Sequence, residues 1–116
     1  PGGTGVRIEK RIDDFELEIR LLSPLAMIVN ELIANSMKYA FRGSERDEIR
    51  VCASKRLERV TVIIEDNGTG IPESVDIENS PGFGLRLVRL LVKQIGGKIE
   101  LERAAGTRFT LSFETR

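Results

Sequence analysis

The sequence predicts an α+β domain, a two-layer α/β sandwich in which a mixed, mostly antiparallel sheet is covered on one face by helices. Three observations predict it. Short segments alternate apolar and polar residues with a period of two, so each offers one apolar face. Two longer segments repeat apolar residues at helical spacing and carry one broad apolar stripe each. The chain has 116 residues, 41% of them hydrophobic and 31% charged, which suits one folded domain with a real core. One-faced elements bury that face against a second layer, and the sandwich follows.

Along the chain, residues 1–5 (PGGTG) read as a flexible lead-in, and 6–116 as a single domain. Val6 to Lys10 and Phe15 to Ile19 alternate about a turn at Asp13-Asp14, consistent with edge strands. Ser23-Pro24 reads as a helix start, with Ser as N-cap and Pro as first helical residue. Leu25, Ile28, Val29, Leu32, Ile33 and Met37 carry that helix to about Ala40, before Arg42-Gly43-Ser44. Ile49, Val51 and Ala53 mark one strand and Val60, Val62 and Ile64 the next, with the turn at Lys55 to Glu58. Residues 67–83 hold glycines, two prolines and short polar residues with no period. A loop of this length in a compact domain is usually functional. Leu85 to Ile95 reads as a second helix closed by Gly96-Gly97. A hairpin follows, with Ile99 and Leu101 on one arm, a turn at Ala104-Ala105-Gly106, and Phe109, Leu111 and Phe113 on the other.

Composition excludes several chemistries. The chain has no histidine, hence no His general base, no Ser-His-Asp triad and no His-bound metal. Cys52 is its single cysteine, which rules out an intrachain disulfide and a CxxC pair. Eighteen Lys and Arg balance eighteen Asp and Glu, so the basic excess of a nucleic-acid binder is missing. No apolar run approaches the ~20 residues that span a bilayer, so membrane contact by this domain is not expected. The chain opens on Pro-Gly-Gly with no initiator Met and reads as a piece of a longer protein or as a processed one.

Four places carry candidate chemistry. At 100° per residue, Glu31, Asn35 and Lys38 lie within about 60° of one another beside the first helix's apolar stripe. They supply a carboxylate, an amide and an ammonium, suited to a base, a metal ligand and a phosphate contact. A solvated helix face with a Glu-Lys pair is the plainer reading. Asp66-Asn67-Gly68-Thr69-Gly70 stands where a strand ends, and could aim a carboxylate at a ligand over the sheet. The competing reading is an Asn-Gly hairpin turn, which a second strand should follow at once; Ile71-Pro72-Glu73 follows instead. Gly82-Phe83-Gly84-Leu85 leads into the second helix, whose N–H groups favour an anion. It is neither a P-loop nor a dinucleotide fingerprint, and a plain loop–helix joint also fits. Gly106-Thr107 is either a hairpin turn or a hydroxyl placed for a base edge.

Order and spacing sharpen these signals. Glu31-x-x-x-Asn35-x-x-Lys38, Asp66-x-Gly68-x-Gly70, Gly82-x-Gly84 and Gly106-Thr107 together resemble the motif series of the GHKL ATPases, which share the Bergerat fold. The wording is most similar to the catalytic domain of two-component sensor histidine kinases. VNELIANSMKYAF (29–41) resembles the N box, IEDNGTGIP (64–72) the G1 box, GFGLRLV (82–88) the G2 box, and AAGTRFTLSF (104–113) the closing Gly-Thr strand. Asn30-Glu31-Leu32 and Lys38-Tyr39-Ala40-Phe41 look like the HWE-like and related subfamilies, where the Tyr39 position is often His. The lid, Ile71 to Pro81, is short, and no separate Phe-rich box stands beyond Phe83.

The resemblance implies Mg²⁺-ATP as cofactor, with Asn35 on the metal and Lys38 on phosphate. Asp66 would accept from the adenine amino group, supported by Thr107, with Gly68, Gly70 and Ile71 against the purine. Gly82, Phe83, Gly84 and Leu85 would form the lid joint and the helix start facing phosphate. A Glu at the Glu31 position activates water in the hydrolytic members; in a kinase Glu31 would orient the incoming His or do little. The resemblance further implies a histidine-bearing dimerisation domain outside this chain, a response regulator and a homodimeric full-length protein. A stand-alone serine kinase resembling anti-sigma factors and a degenerate nucleotide-binding regulator are the alternatives it leaves.

Overall fold

The computed structural model describes residues 5–41, 46–69, 73–74 and 84–115. Among the described residues, five strands form one sheet: β1 (Arg7–Ile12), β2 (Glu48–Arg56), β3 (Arg59–Asp66), β4 (Lys98–Ala104) and β5 (Gly106–Glu114). Their spatial order is β1-β2-β3-β5-β4. β1 runs parallel to β2 and the other three pairings are antiparallel, the mixed sheet expected from sequence. Two helices, α1 (Ile19–Asn35) and α2 (Leu85–Gln94), pack against each other and form the second layer. α1 continues into a π-helical turn over Ser36–Ala40.

Periodicity decides which side chains are inside. Val60, Val62 and Ile64 of β3 and Phe109, Leu111 and Phe113 of β5 occupy alternate positions and are all buried. Leu21, Ile28 and Leu32 of α1 and Leu85, Val88, Leu91 and Val92 of α2 close over them. Ile8 and Ile12 lie on the same side of the sheet but are 45% and 59% exposed, so the helices do not cover the β1 edge. Among the described residues no helix is long and apolar enough to cross a membrane.

The structure corrects two readings at the N-terminal end. Phe15 to Ile19 is not a strand. The β1–β2 pairing extends as far as the Asp13 N–H to Ala53 carbonyl bond, and the chain then leaves the sheet. Phe15 and Leu17 pack against the core instead, since alternation signals an apolar face and not a partner strand. α1 also begins at Ile19 rather than at Ser23, with Pro24 inside it. Leu21, fully buried, gives the extra turn its reason. Pro24 forfeits a bond to the Arg20 carbonyl, and burial of its own ring offsets the loss.

The opposite face of the sheet is open and charged. Glu9, Arg50, Glu65, Arg108 and Glu102 stand in register across all five strands. Successive members alternate in sign and approach at 3.1, 3.7, 3.1 and 3.9 Å. Like charges would repel at these separations; alternation favours this register over a slipped one.

Candidate functional site

Asp66 is the last residue of β3, and its side chain belongs to the helix-facing set that includes Ile64 and Val62. The pattern that buries those hydrophobes therefore buries a carboxylate, 8% exposed. Burial demands hydrogen-bond partners. Oδ2 accepts the Ser36 hydroxyl at 2.7 Å, and Oδ1 accepts the Gly68 N–H at 3.0 Å. Thr107, also buried, stands opposite Asp66 in the β3–β5 register. Asn35, the last residue of α1, is 5% exposed. A narrow crevice brings Asn35, Ser36, Tyr39, Ala40, Asp66, Thr107 and Phe109 together.

The segment after Asp66 is hooked onto the π-turn. Thr69 donates its N–H to the Ala40 carbonyl at 2.8 Å, and its hydroxyl reaches the same oxygen at 3.2 Å. A Cβ on Gly68 would collide with the Ala40 carbonyl, so glycine is required there by close chain packing. Asn67 fastens the other side. Its Oδ1 accepts the Glu48 N–H at 2.8 Å and its Nδ2 donates to the Arg46 carbonyl at 2.6 Å. Asp66 is thus aimed by neighbours on both flanks.

The uniform spacing assumed for Glu31, Asn35 and Lys38 does not hold over the whole stretch. The π-turn begins between Asn35 and Lys38 and changes the angle from there on. Asn35 is buried at the crevice, while Lys38 is exposed. Glu31 is half-buried and turns to the second helix. Its Oε2 lies 2.5 Å from where a Cβ on Gly84 would stand. Gly84 is the N-cap of α2 with φ +65°, and its carbonyl accepts the Val88 N–H at 3.1 Å. Leu85 is fully buried in the core, so its side chain belongs to the helix packing. Gly70, Ile71, Gly82 and Phe83, and most of the lid, lie outside the described residues.

Sequence reasoning missed Ser36. Ser36 continues the regular spacing of α1, and nothing in that spacing tells that the end of β3 meets it there. A hydroxyl directly after Asn35 was the one available signal. A separate hollow of about 310 Å³ reaches Asp66 and Thr107 from the open face, lined by Glu65, Glu102, Ala105, Gly106 and Arg108. Among the described residues no helix residue lines it; the side where Asn35 and Ser36 meet Asp66 holds the candidate chemistry.

Comparisons with known proteins agree with this fold. Residues 22–116 match the family model described as histidine kinase-, DNA gyrase B-, and HSP90-like ATPase. The chain is 26% identical over 103 residues to blue-light-activated histidine kinase 2 of Erythrobacter litoralis, covering 88% of this chain and 30% of that protein. It is 28% identical over 104 residues to the sensor histidine kinase PdtaS of Mycobacterium tuberculosis, covering 89% of this chain and 20% of that protein. Among solved structures, the blue-light activated histidine kinase EL346 of Erythrobacter litoralis superposes with a TM-score of 0.89 at 24% identity. That match covers 99% of this chain and 36% of the other. The catalytic domain of histidine kinase ThkA superposes with a TM-score of 0.75 at 22% identity, covering 95% and 78%. These likenesses carry the fold. The chain spans under a third of the length of these two curated relatives.

Proposed function

The chain belongs to the histidine kinase-, DNA gyrase B-, and HSP90-like ATPase family, and on that premise we propose that it is the ATP-binding catalytic domain of a sensor histidine kinase. It binds Mg²⁺-ATP and transfers the γ-phosphoryl group to a histidine on a separate dimerisation domain. One observation carries this reading. The buried Asp66 carboxylate is fixed by two donors at a strand end, opposite Thr107 and beside Asn35. A carboxylate so held is an acceptor of set direction, suited to the exocyclic amino group of adenine.

The other residues take roles by position. Thr107 supports the base contact, with Gly68, Gly70 and Ile71 along the purine. Asn35 provides a hard oxygen donor at the crevice. Among the described residues no cluster of three acidic or thiol ligands occurs. That donor set fits a Mg²⁺ held by one side-chain amide, phosphate oxygens and water. The ion would neutralise phosphate charge when bound. Lys38, exposed beyond Asn35, contacts phosphate as a point charge. Gly82, Phe83, Gly84 and Leu85 lead into α2, whose first N–H groups favour an anion. Glu31, against that helix start, orients the incoming imidazole. Catalysis is then mostly positioning and charge stabilisation. A response regulator as final acceptor, a homodimer as full-length assembly and a cytoplasmic location complete the proposal.

Thermal unfolding tests it. Nucleotide at one hundred times its Kd stabilises the folded state by about 2.7 kcal/mol, so saturating Mg²⁺-ATP should raise Tm. An unchanged Tm would overturn the reading.

A further inference from the structure

We infer that Ser36 is a specificity-determining positioning residue, which fixes the Asp66 carboxylate and so makes selection of adenine depend on a hydroxyl from the π-turn. The inference rests on the reading of Asp66 as the adenine acceptor.

The terminal torsion of an aspartate is broad and roughly two-fold, so a single hydrogen bond leaves the carboxylate plane free to turn. Asp66 has two donors on different oxygens: the Gly68 N–H on Oδ1 and the Ser36 hydroxyl on Oδ2. They come from independent parts of the chain, one two residues along and one thirty residues back. Together they define the plane. The Gly68 donor is backbone and persists in almost any variant; Ser36 is the donor that a side-chain change removes. Ser36 is 6% exposed and Asp66 8%, so bulk water cannot readily replace the hydroxyl.

Asn35 and Ser36 are consecutive and both keep α-helical dihedral angles, φ/ψ −63°/−44° and −61°/−43°. Both are buried and line one crevice where α1 passes into the π-turn, so the Ser36 hydroxyl meets the end of β3. π-turns inside α-helices recur at functional sites.

A fixed acceptor discriminates because a base lacking the matching donor leaves one of its remaining lone pairs buried without a partner. Without Ser36 the carboxylate can rotate away, and the distinction weakens. The phosphate contacts are untouched.

The experiment measures Kd by calorimetry for ATP and for purine riboside triphosphate, which lacks the 6-amino group. The proteins are the 116-residue chain and its Ser36→Ala, Ser36→Thr and Asp66→Asn variants, each checked for cooperative unfolding. Ser36→Ala is expected to weaken ATP about tenfold, with the purine analogue changed less than threefold. Ser36→Thr keeps the hydroxyl and should retain the wild-type ratio. An unchanged ATP-to-analogue ratio in folded Ser36→Ala, or equal loss on both nucleotides, overturns the inference. Asp66→Asn separates the two levels. If it binds ATP as the wild type does, the adenine-acceptor reading itself fails. If it loses ATP while Ser36→Ala keeps the ratio, only the role of Ser36 fails.

Discussion

The Glu31 carboxylate rests against Gly84, with Oε2 only 2.5 Å from the point where a Cβ would project. One helix thereby sets an anion at the start of the other, where N–H groups unpaired within the helix and the helix dipole favour negative charge. Gly84 holds φ +65° there, a conformation that costs a side-chain-bearing residue roughly 1–2 kcal/mol.

Gly84→Ala should therefore destabilise the domain chiefly through its backbone, because the Glu31 carboxylate is the far end of a flexible side chain and can move aside. Glu31→Ala should recover little of that loss. Urea unfolding of both single variants and the double variant measures the coupling. The double variant is expected to match the sum of the single effects within about 0.5 kcal/mol. A larger coupling would show that the Glu31 carboxylate is held in place against Gly84.

Gly68→Ala places a methyl group into the Ala40 backbone. Main chain on both sides must shift, breaking the Thr69 hooks on the Ala40 carbonyl. Chemical denaturation should show a loss of about 2 kcal/mol or more. A near-neutral variant would mean that this segment is not fastened as described.

Glu65 sits centrally in the cross-strand charge row, bridging Arg50 at 3.7 Å and Arg108 at 3.1 Å. These groups are partly solvated, so their worth is small despite the regularity. Glu65→Gln should cost no more than about 1 kcal/mol at low salt. The difference should shrink near 1 M salt, where screening acts within about 3 Å. A salt-independent loss would point to packing in place of charge.

Lys38 is exposed, and truncating it should leave stability within about 0.5 kcal/mol. Its proposed partner is phosphate, so Lys38→Ala should weaken Mg²⁺-ATP markedly while altering adenosine binding little. Parallel titrations with the two ligands check this. Equal weakening of both would remove Lys38 from the phosphate site.

The alternating strands were legible because burial of one sheet face leaves a period of two, as at Val60, Val62 and Ile64. Asp66 was legible because it ends that strand ahead of Asn67-Gly68-Thr69-Gly70, a stretch that no second strand pattern follows at once. Other features leave no such trace. The alternation of Phe15 and Leu17 records contact with the core and says nothing about backbone pairing. The start of α1 was masked because Pro24, a strong start signal, lies inside a helix that Leu21 extends backward. The edge expected of Glu31, Asn35 and Lys38 assumed one helical pitch, and the π-turn changes it after Asn35. Ser36 became visible only when the far end of β3 was brought beside that turn.

Titration of Mg²⁺-ATP into the wild-type chain and its Asp66→Asn variant tests the central claim most directly. The account predicts saturable one-to-one binding by the wild type. It predicts at least a tenfold loss in the variant, with both proteins folded. Equal affinities, or no binding by the folded wild type, would contradict it.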